Sequence, residues 1–288
     1  MMTPTTSRHS ATHLVTRGLR NVLLYAVVIV GLLVFCIPVY YMATTSIKAE
    51  AEVFAIPVHW IPHEFKPQNY PEAFAAAPFA RYFYNSTVVA IAVVFSTLFF
   101  SALAGYGFAK FSFPGKTLFF LFVLSTLMIP FQILLIPLYV LVYHLGWTNN
   151  YAGLIIPGAL TAFGVFLMRQ FCLTLPDELL DAARIDGCSE PGIFWRIVLP
   201  LLKPPLASLA IITFLGSWNN FLWPLIVVNK GSLFTLPVGM TVFTQPMRAP
   251  YWTYIMAVST VSTVPVVVVF LALQKYFIQG VVLSGMKG

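Results

Sequence analysis

The chain has 288 residues, of which 59% are hydrophobic and 9% charged, and its mean hydropathy is +0.86. Soluble domains carry about 25% charged residues, so this composition excludes an ordinary soluble fold and predicts an all-α integral membrane protein. The formal net charge of +7 does not indicate nucleic-acid binding, because the basic residues are scattered over short segments and form no groove.

Uncharged runs of sequence predict six transmembrane helices. A helical span needs about 20 apolar residues. Four of the runs are long enough for one span each, and the run 117–168 is long enough for two spans with a polar break at 144–150. We place the spans at residues 21–42, 84–108, 117–142, 151–171, 205–229 and 252–273.

The distribution of lysine and arginine predicts the orientation of these spans. With both termini in the cytoplasm, eleven of the 16 basic residues fall in inner segments and five in outer segments, which agrees with the positive-inside rule. We therefore expect a cytoplasmic N-terminal tail (1–20), a transmembrane domain (21–280) and a cytoplasmic C-terminal tail (281–288). The same orientation places the polar stretch 175–205 in the cytoplasm.

The outer segment that follows the first span, residues 44–81, is interrupted by prolines that prevent a long helix. His59 and His63 in this segment have the i, i+4 spacing of a helical metal-binding pair. Because Pro62 lies between them, we expect solvent-facing histidines rather than a metal site, and we predict no metal ligands elsewhere.

The second span carries Ser101, Gly105 and Ala109 at four-residue spacing, which predicts close packing against a neighbouring helix. The turn that follows contains Gly115-Lys116-Thr117, similar to the end of a phosphate-binding loop. That motif needs a glycine at position 110, where this chain has lysine. We therefore expect no nucleotide to bind to this chain.

Polar side chains inside the predicted spans are the candidates for a solute pathway. They are Gln132 in the third span and Trp218, Asn219 and Asn220 in the fifth. Intramembrane amides usually face the bundle interior or a water-filled cavity. Hydrogen bonding between helices explains them equally well, and both interpretations remain open at this point.

The cytoplasmic stretch 175–205 predicts two short helices joined by a turn. In the first helix, Leu179, Ala182 and Ala183 share one nearly flat face that a partner protein could approach closely. Gly187 suits the left-handed residue that closes such a helix.

The second helix of this stretch begins at Ser189, which is a suitable N-cap. Ile193, Phe194 and Ile197 then form its apolar stripe, and we expect Pro200 to end the helix.

The spacing within this stretch resembles a known motif. The order Asp181-Ala182-Ala183, three residues, Gly187, nine residues and Ile197-x-Leu199-Pro200 is similar to the EAA loop in the inner-membrane subunits of binding-protein-dependent ABC importers. The run DELLDAARIDG through FWRIVLPLLKP resembles the carbohydrate branch of that family, the maltose-transporter type. Asp181 stands where the family usually has glutamate, which keeps the charge and shortens the side chain.

This resemblance implies a type I ABC importer fold in which the segment 172–203, here named the coupling loop, carries a coupling helix that docks onto an ATPase subunit. The docking role is carried over to Glu178, Asp181, Ala182, Ala183, Arg184, Asp186, Gly187, Ile197, Leu199 and Pro200.

The function implied by the resemblance is that of a permease subunit forming half of a translocation pathway for a sugar or related polyol. The expected partners are a second permease subunit, in a heterodimer, two ATPase subunits that bind ATP and Mg²⁺, an extracytoplasmic solute-binding protein, and the lipid of a bacterial or archaeal inner membrane. The chain itself is expected to bind no cofactor.

Other function classes have less support in the sequence. We find no HExxH or GxSxG motif, and all nine acidic residues lie outside the predicted spans, so we do not expect an enzyme. A secondary carrier or channel for a small polar solute remains the alternative. Proton-coupled carriers normally need an intramembrane carboxylate or histidine relay, which the predicted spans lack.

Overall fold

The computed structural model describes residues 8–244 and 251–285, with side chains described for 20–244 and 251–276. The outermost parts of the two predicted tails, residues 1–7 and 286–288, lie outside these ranges. Every regular element within the described ranges is a helix, which confirms the predicted all-α class.

The described residues form fourteen α-helices, several of them only one turn long. In chain order they are α1 (Arg8–Thr45), α2 (Asn69–Ala75), α3 (Phe79–Lys110), α4 (Lys116–Ser125), α5 (Phe131–His144), α6 (Tyr151–Ile155), α7 (Ala162–Leu173), α8 (Asp177–Ile185), α9 (Glu190–Ile193), α10 (Leu199–Leu201), α11 (Lys203–Trp218), α12 (Leu222–Val227), α13 (Leu236–Gly239) and α14 (Trp252–Gly285). A π-helical turn, Phe194–Val198, joins α9 to α10.

Among the described residues, three helical segments are long and apolar enough to cross a membrane alone: Arg20–Thr45, Phe79–Lys110 and Trp252–Tyr276. Three further pairs of helices pass the same test together but are bent by 106°, 41° and 75° at a short break. Each bent pair must therefore count as one span for the total to reach six.

Prolines account for two breaks that the span assignments did not include. Between α4 and α5, Ile129 precedes Pro130 and has extended backbone angles (φ −90°, ψ 114°), because a residue before proline is disfavoured in the helical region. The fifth predicted span ran without interruption from 205 to 229, but α11 ends at Trp218 and α12 begins at Leu222. Pro224 cannot donate the hydrogen bond that a continuous helix would require.

The described chain divides into two compact units. The smaller unit contains residues 1–73 and 251–260, and it ties the outer segment to the start of α14. The carboxylate of Glu50 accepts hydrogen bonds from the backbone N–H of Trp252 (2.9 Å) and of Thr253 (3.1 Å). An acidic side chain at this position satisfies the unpaired N–H groups of the first turn.

The two histidines of the outer segment differ in exposure. His63 is exposed as predicted, whereas His59 is only partly exposed and its ring lies edge-on to that of His63, with 4.1 Å between the ring centroids. The prediction of a solvent-facing side chain is therefore wrong for His59. The backbone carbonyl of His59 accepts a hydrogen bond from the buried Lys48, a contact that the sequence pattern did not indicate.

The larger unit, residues 74–250 and 261–288, is built on close packing of α3 against α7. A Cβ atom added to Gly105 would lie 2.5 Å from Cβ of Met168 and 2.7 Å from the backbone nitrogen of Arg169. A Cβ atom added to Gly164 would lie 2.3 Å from Oγ of Ser101. The predicted close approach at Ser101 and Gly105 is confirmed, and it leaves no space for a larger side chain.

Replacing Gly105 by alanine should separate α3 from α7. Overpacking of this kind costs about 1–3 kcal/mol, so we expect a lower midpoint of thermal unfolding for Gly105→Ala in detergent. Gly107→Ala, on the same helix, is the matched control, because a Cβ atom added to Gly107 would meet no neighbouring atom within 4 Å. Equal unfolding midpoints for the two variants would contradict the close packing.

Candidate functional site

The coupling loop presents α8 as a short, well-terminated helix. Gly187 has φ +82°, which glycine adopts without the steric penalty that other residues incur. The N–H group of Gly187 donates a hydrogen bond to the carbonyl oxygen of Arg184 (3.0 Å), and the N–H group of Cys188 donates one to the carbonyl oxygen of Ala183 (2.9 Å). This pair of bonds is the Schellman arrangement, so the predicted closing role of Gly187 is confirmed.

One face of α8 is part of the core of the larger unit. Leu180 and Ala183 are buried, and they pack in one apolar cluster with Tyr106 of α3 and with Met168 and Cys172 of α7. The prediction that Ala183 lies on the open docking face is therefore wrong. Ala183 is three residues after Leu180, and this spacing puts both on the face that packs inward.

The opposite face of α8 is exposed. At its centre lie Leu179, Ala182 and Ile185, of which Ile185 is 86% exposed. Ile185 was missed in the sequence analysis, although its position three residues after Ala182 places it on the same face. Glu178, Asp181 and Asp186 are also exposed, and Glu178 lies on the same face as Ala182, four residues later.

Arg184 lies between two carboxylates of the coupling loop. Its Nη1 is 2.7 Å from Oδ1 of Asp181, and its Nε is 2.7 Å from Oε1 of Glu190. The hydroxyl of Tyr106 donates to the other oxygen of Glu190 at 3.3 Å. Arg184 therefore joins α8 to α9 and, through Glu190, to α3. The sequence analysis did not single out Glu190 or Tyr106, because nothing local relates them.

A second polar contact fixes the beginning of α8. The ammonium group of Lys110 donates to the carbonyl of Leu175 (2.6 Å) and to Oδ1 of Asp177 (2.6 Å). The Lys110 side chain is only 6% exposed. Its hydrogen bond lowers the pKa of Asp177 below the ordinary value of 3.8. The Asp177 carboxylate is thus ionised at neutral pH, and the ion pair is lost only as the pH falls through that lowered pKa.

The second helix of the coupling loop begins as predicted and ends within one residue of the predicted end, but it is interrupted by the π-helical turn Phe194–Val198. Oγ of Ser189 accepts a hydrogen bond from the N–H of Gly192 (3.4 Å), which confirms the N-cap. The helical stretch ends with α10 at Leu201, one residue after Pro200, and this proline is tolerated because it lies in the first turn of α10. Ile197 and Leu199 are partly buried and pack against the same core as α8.

A cavity of about 390 Å³ lies within the larger unit, among residues of α3, α5, α7, α11 and α12 and of the connections between helices. Its polar lining consists of hydroxyl and amide side chains, and none of its lining residues is charged. These polar residues are Ser86, Thr161, Thr213, Ser217, Asn220 and Thr235.

Two features indicate that the cavity could bind a polar ligand. The hydroxyl-bearing side chains of Thr213 and Ser217 line the cavity and are partly exposed, so a ligand can reach them. Trp223 forms a fixed wall, because its indole N–H donates to the carbonyl of Gly153 (2.8 Å). The cavity therefore combines rigid aromatic surface with hydroxyl and amide groups.

Only one of the four predicted pathway residues lines this cavity, and that residue is Asn220. Trp218 is buried and donates to the carbonyl of Ser262 in α14 (3.1 Å), which is a contact between helices. Asn219 is exposed and donates to Leu215 of its own helix, whereas Gln132 is exposed on α5 outside the cavity lining. A role in solute passage stays a prediction for each of them.

No group of three histidine, cysteine, aspartate or glutamate side chains that could hold a metal ion occurs within residues 20–244 and 251–276. The described cysteines are unpaired: Cys36 is exposed, Cys172 is buried and Cys188 lies between these extremes.

Comparison with known sequences identifies the family. The profile of the family described as "Binding-protein-dependent transport system inner membrane component" matches residues 97–282. The arabinooligosaccharides transport system permease protein AraQ of Halalkalibacterium halodurans is 46% identical over 207 residues, which cover 72% of this chain and 74% of that protein. AraQ of Bacillus subtilis is 37% identical over 259 residues, which cover 89% and 92%.

A third relative is the sn-glycerol-3-phosphate transport system permease protein UgpE of Yersinia enterocolitica. It is 36% identical over 273 residues, which cover 92% of this chain and 97% of that protein. Similarity extends to a solved chain of a bacterial ABC transporter involved in the import of the acidic polysaccharide alginate. That chain matches with a TM-score of 0.78, covering 96% of this chain and 100% of its own length, and at 24% identity it shows the fold alone.

The matched family profile, the relatives along most of the chain and the shared type I importer fold agree with the coupling-loop motif. This chain belongs to the family of inner-membrane components of binding-protein-dependent transport systems, and it is a permease subunit of an ABC importer.

Proposed function

We propose that this chain forms half of the translocation pathway for an uncharged, hydroxyl-rich solute, and that its exposed α8 face docks onto a partner ATPase subunit. The observation that carries the proposal is the apolar centre of that face, formed by Leu179, Ala182 and Ile185 on a helix whose other side is fixed to the core. An apolar side chain that is exposed in the free chain contributes favourable free energy when a partner removes it from water.

The docking face has the features of a protein interface. A small apolar centre surrounded by polar groups resembles a desolvated core with a polar rim. Two exposed acidic residues near the apolar side chains, Glu178 and Asp186, form no ion pair within the described residues, so the surface of the partner should be basic where it meets them. ATP and Mg²⁺ bind to the partner, which performs the hydrolysis, and this chain is not an enzyme.

The cavity supports a neutral cargo. The named relatives transport arabinooligosaccharides or sn-glycerol 3-phosphate, of which only the first is uncharged. A phosphate group would need a basic side chain or several convergent backbone N–H groups, and no charged residue lines this cavity. Its volume of about 390 Å³ lies within the range of roughly 300–1,000 Å³ that small-molecule sites occupy. A sugar or polyol therefore fits the lining best.

The proposed setting is a bacterial or archaeal inner membrane, with both termini of the chain in the cytoplasm. A second, different permease subunit supplies the other half of the pathway, and an extracytoplasmic binding protein delivers the solute. Closure of the two ATPase subunits on ATP moves the coupling loop and opens the pathway outward. The free energy that drives this opening comes from the difference between the contacts made before and after the ATPase subunits close. The carrier or channel alternative has no support from the family comparison.

Replacing Ile185 by glutamine should weaken docking. Burying an isoleucine is worth about 1.5–3 kcal/mol, so we expect the affinity for the ATPase subunit to fall by about tenfold or more. The measurement is the amount of ATPase subunit retained by purified permease. Leu201→Gln is the matched control, because Leu201 is an exposed residue of the coupling loop outside α8. Unchanged retention by Ile185→Gln would contradict the docking face.

Replacing Thr213, a partly exposed residue of the cavity lining, by valine should slow uptake of a neutral pentose oligosaccharide by the reconstituted importer. One lost hydrogen bond is worth about 0.5–1.5 kcal/mol, which corresponds to a rate change of roughly 2- to 10-fold. The control is Thr87→Val, because Thr87 bonds within its own helix and does not line the cavity. Wild-type uptake of glycerol 3-phosphate without uptake of the neutral saccharide would contradict the proposed cargo.

A further inference from the structure

We propose that the motion of the docked helix α8 is delivered directly to α3 through two polar contacts, in which Lys110 and Tyr106 are the positioning residues. The contact of Lys110 with Leu175 and Asp177 is here named the front tie. The contact of Arg184 with Glu190, and of Glu190 with Tyr106, is named the rear tie. This inference rests on the proposed docking of α8, and it adds a route by which that docking reaches the solute cavity.

The front tie holds the beginning of α8. Lys110 is the last residue of α3, and its ammonium group contacts both the carbonyl of Leu175 and the carboxylate of Asp177, each at 2.6 Å. The front tie therefore binds both the backbone just before α8, at Leu175, and a side chain in the first turn of α8, at Asp177. The Lys110 side chain is 6% exposed and the Asp177 side chain 76% exposed, so the hydrogen bond to the carbonyl of Leu175 is the better shielded of the two contacts.

The rear tie holds the end of α8. Arg184 contacts Asp181 on its own helix and Glu190 on α9, and Glu190 accepts the hydroxyl hydrogen bond of Tyr106 on α3. A planar guanidinium can engage two carboxylates at once, which fixes the separation of the two short helices. The glutamate thus joins three helices through charged or hydroxyl contacts.

Between the two ties, the inner face of α8 enters an apolar cluster to which α3 and α7 both contribute. Leu180 and Ala183 lie in the buried cluster that also contains Ala102 and Tyr106 of α3. With polar contacts to α3 at its beginning and end, α8 cannot tilt relative to α3 without breaking at least one of them. The two helices should therefore move as one body.

The chain neighbours of α8 offer weaker routes. Toward α11 the chain passes through a π-helical turn and a 75° bend between α10 and α11. No hydrogen bond or ion pair between described residues joins α8 directly to α11. A bent and irregular connection absorbs displacement, whereas packed rigid elements transmit it.

Helix α3 also reaches the cavity. It runs without a break from Phe79 to Lys110, and it contributes Ser86, Val89 and Val93 to the cavity lining. At 1.5 Å per residue, Lys110 and Val93 are about 26 Å apart along the helix axis. One straight helix therefore carries both ties at its cytoplasmic end and part of the solute site further along.

The test uses the complete importer in proteoliposomes, with Lys110→Ala, Tyr106→Phe and the double variant. Three quantities are measured: retention of the ATPase subunits, ATP hydrolysis and uptake of the neutral pentose oligosaccharide. We expect normal retention in each variant. Uptake per ATP hydrolysed should fall by at least about fivefold in the double variant, at the lower end of typical coupling between sites. Lys110→Arg should restore most of the loss caused by alanine.

Lys116→Ala is the matched control, because Lys116 lies in the same cytoplasmic turn but donates to the carbonyls of Ala109 and Phe111 and not to α8. Wild-type uptake per ATP in the double variant would overturn the proposed route while leaving docking intact. Loss of ATPase retention by Lys110→Ala or Tyr106→Phe would also overturn it, since the residue would then be needed for docking. If the unaltered permease retains no ATPase, the proposed function itself fails.

Discussion

The burial of Leu180 and Ala183 beneath α8 is the contact on which the functional structure depends. It fixes the rotation of a nine-residue helix that lies outside the predicted spans. Removing a leucine side chain from water contributes roughly 1.5–3 kcal/mol, whereas an isolated helix of this length is marginal in water. Because the inner face is occupied, Leu179, Ala182 and Ile185 must lie on the outer face. The same contact therefore stabilises the helix and selects the surface that it offers to a partner.

The local chemistry of the coupling loop could be predicted from the sequence, because each feature depends on a few adjacent residues. A glycine was expected in the left-handed region at 187 and a serine cap at 189, and both are present. The small residues of α3 likewise indicated close helix packing without identifying α7 as the neighbour. The rotation of α8 could not be predicted, since Ala182 and Ala183 are chemically identical and only the surrounding core distinguishes them.

The longer-range contacts were beyond sequence reasoning for a different reason. Lys110 and Asp177 are 67 residues apart, and Tyr106 and Glu190 are 84 apart. A single chain without aligned relatives carries no signal that pairs them. The breaks near Pro130 and Pro224 were partly visible as prolines, but the 106° bend between α4 and α5 depends on what each half packs against. The cavity hydroxyls come from several helices and become a group only in the fold.

The most direct test of the orientation of α8 compares cysteine labelling at two adjacent positions. Ala182→Cys and Ala183→Cys would be made in a permease whose native Cys36, Cys172 and Cys188 are replaced, and both would be treated with a water-soluble maleimide. We expect rapid labelling at 182 that ATPase subunits suppress, and slow labelling at 183 with or without them. Equal labelling at the two positions, or labelling at 182 that the ATPase subunits leave unchanged, would contradict the assigned docking face.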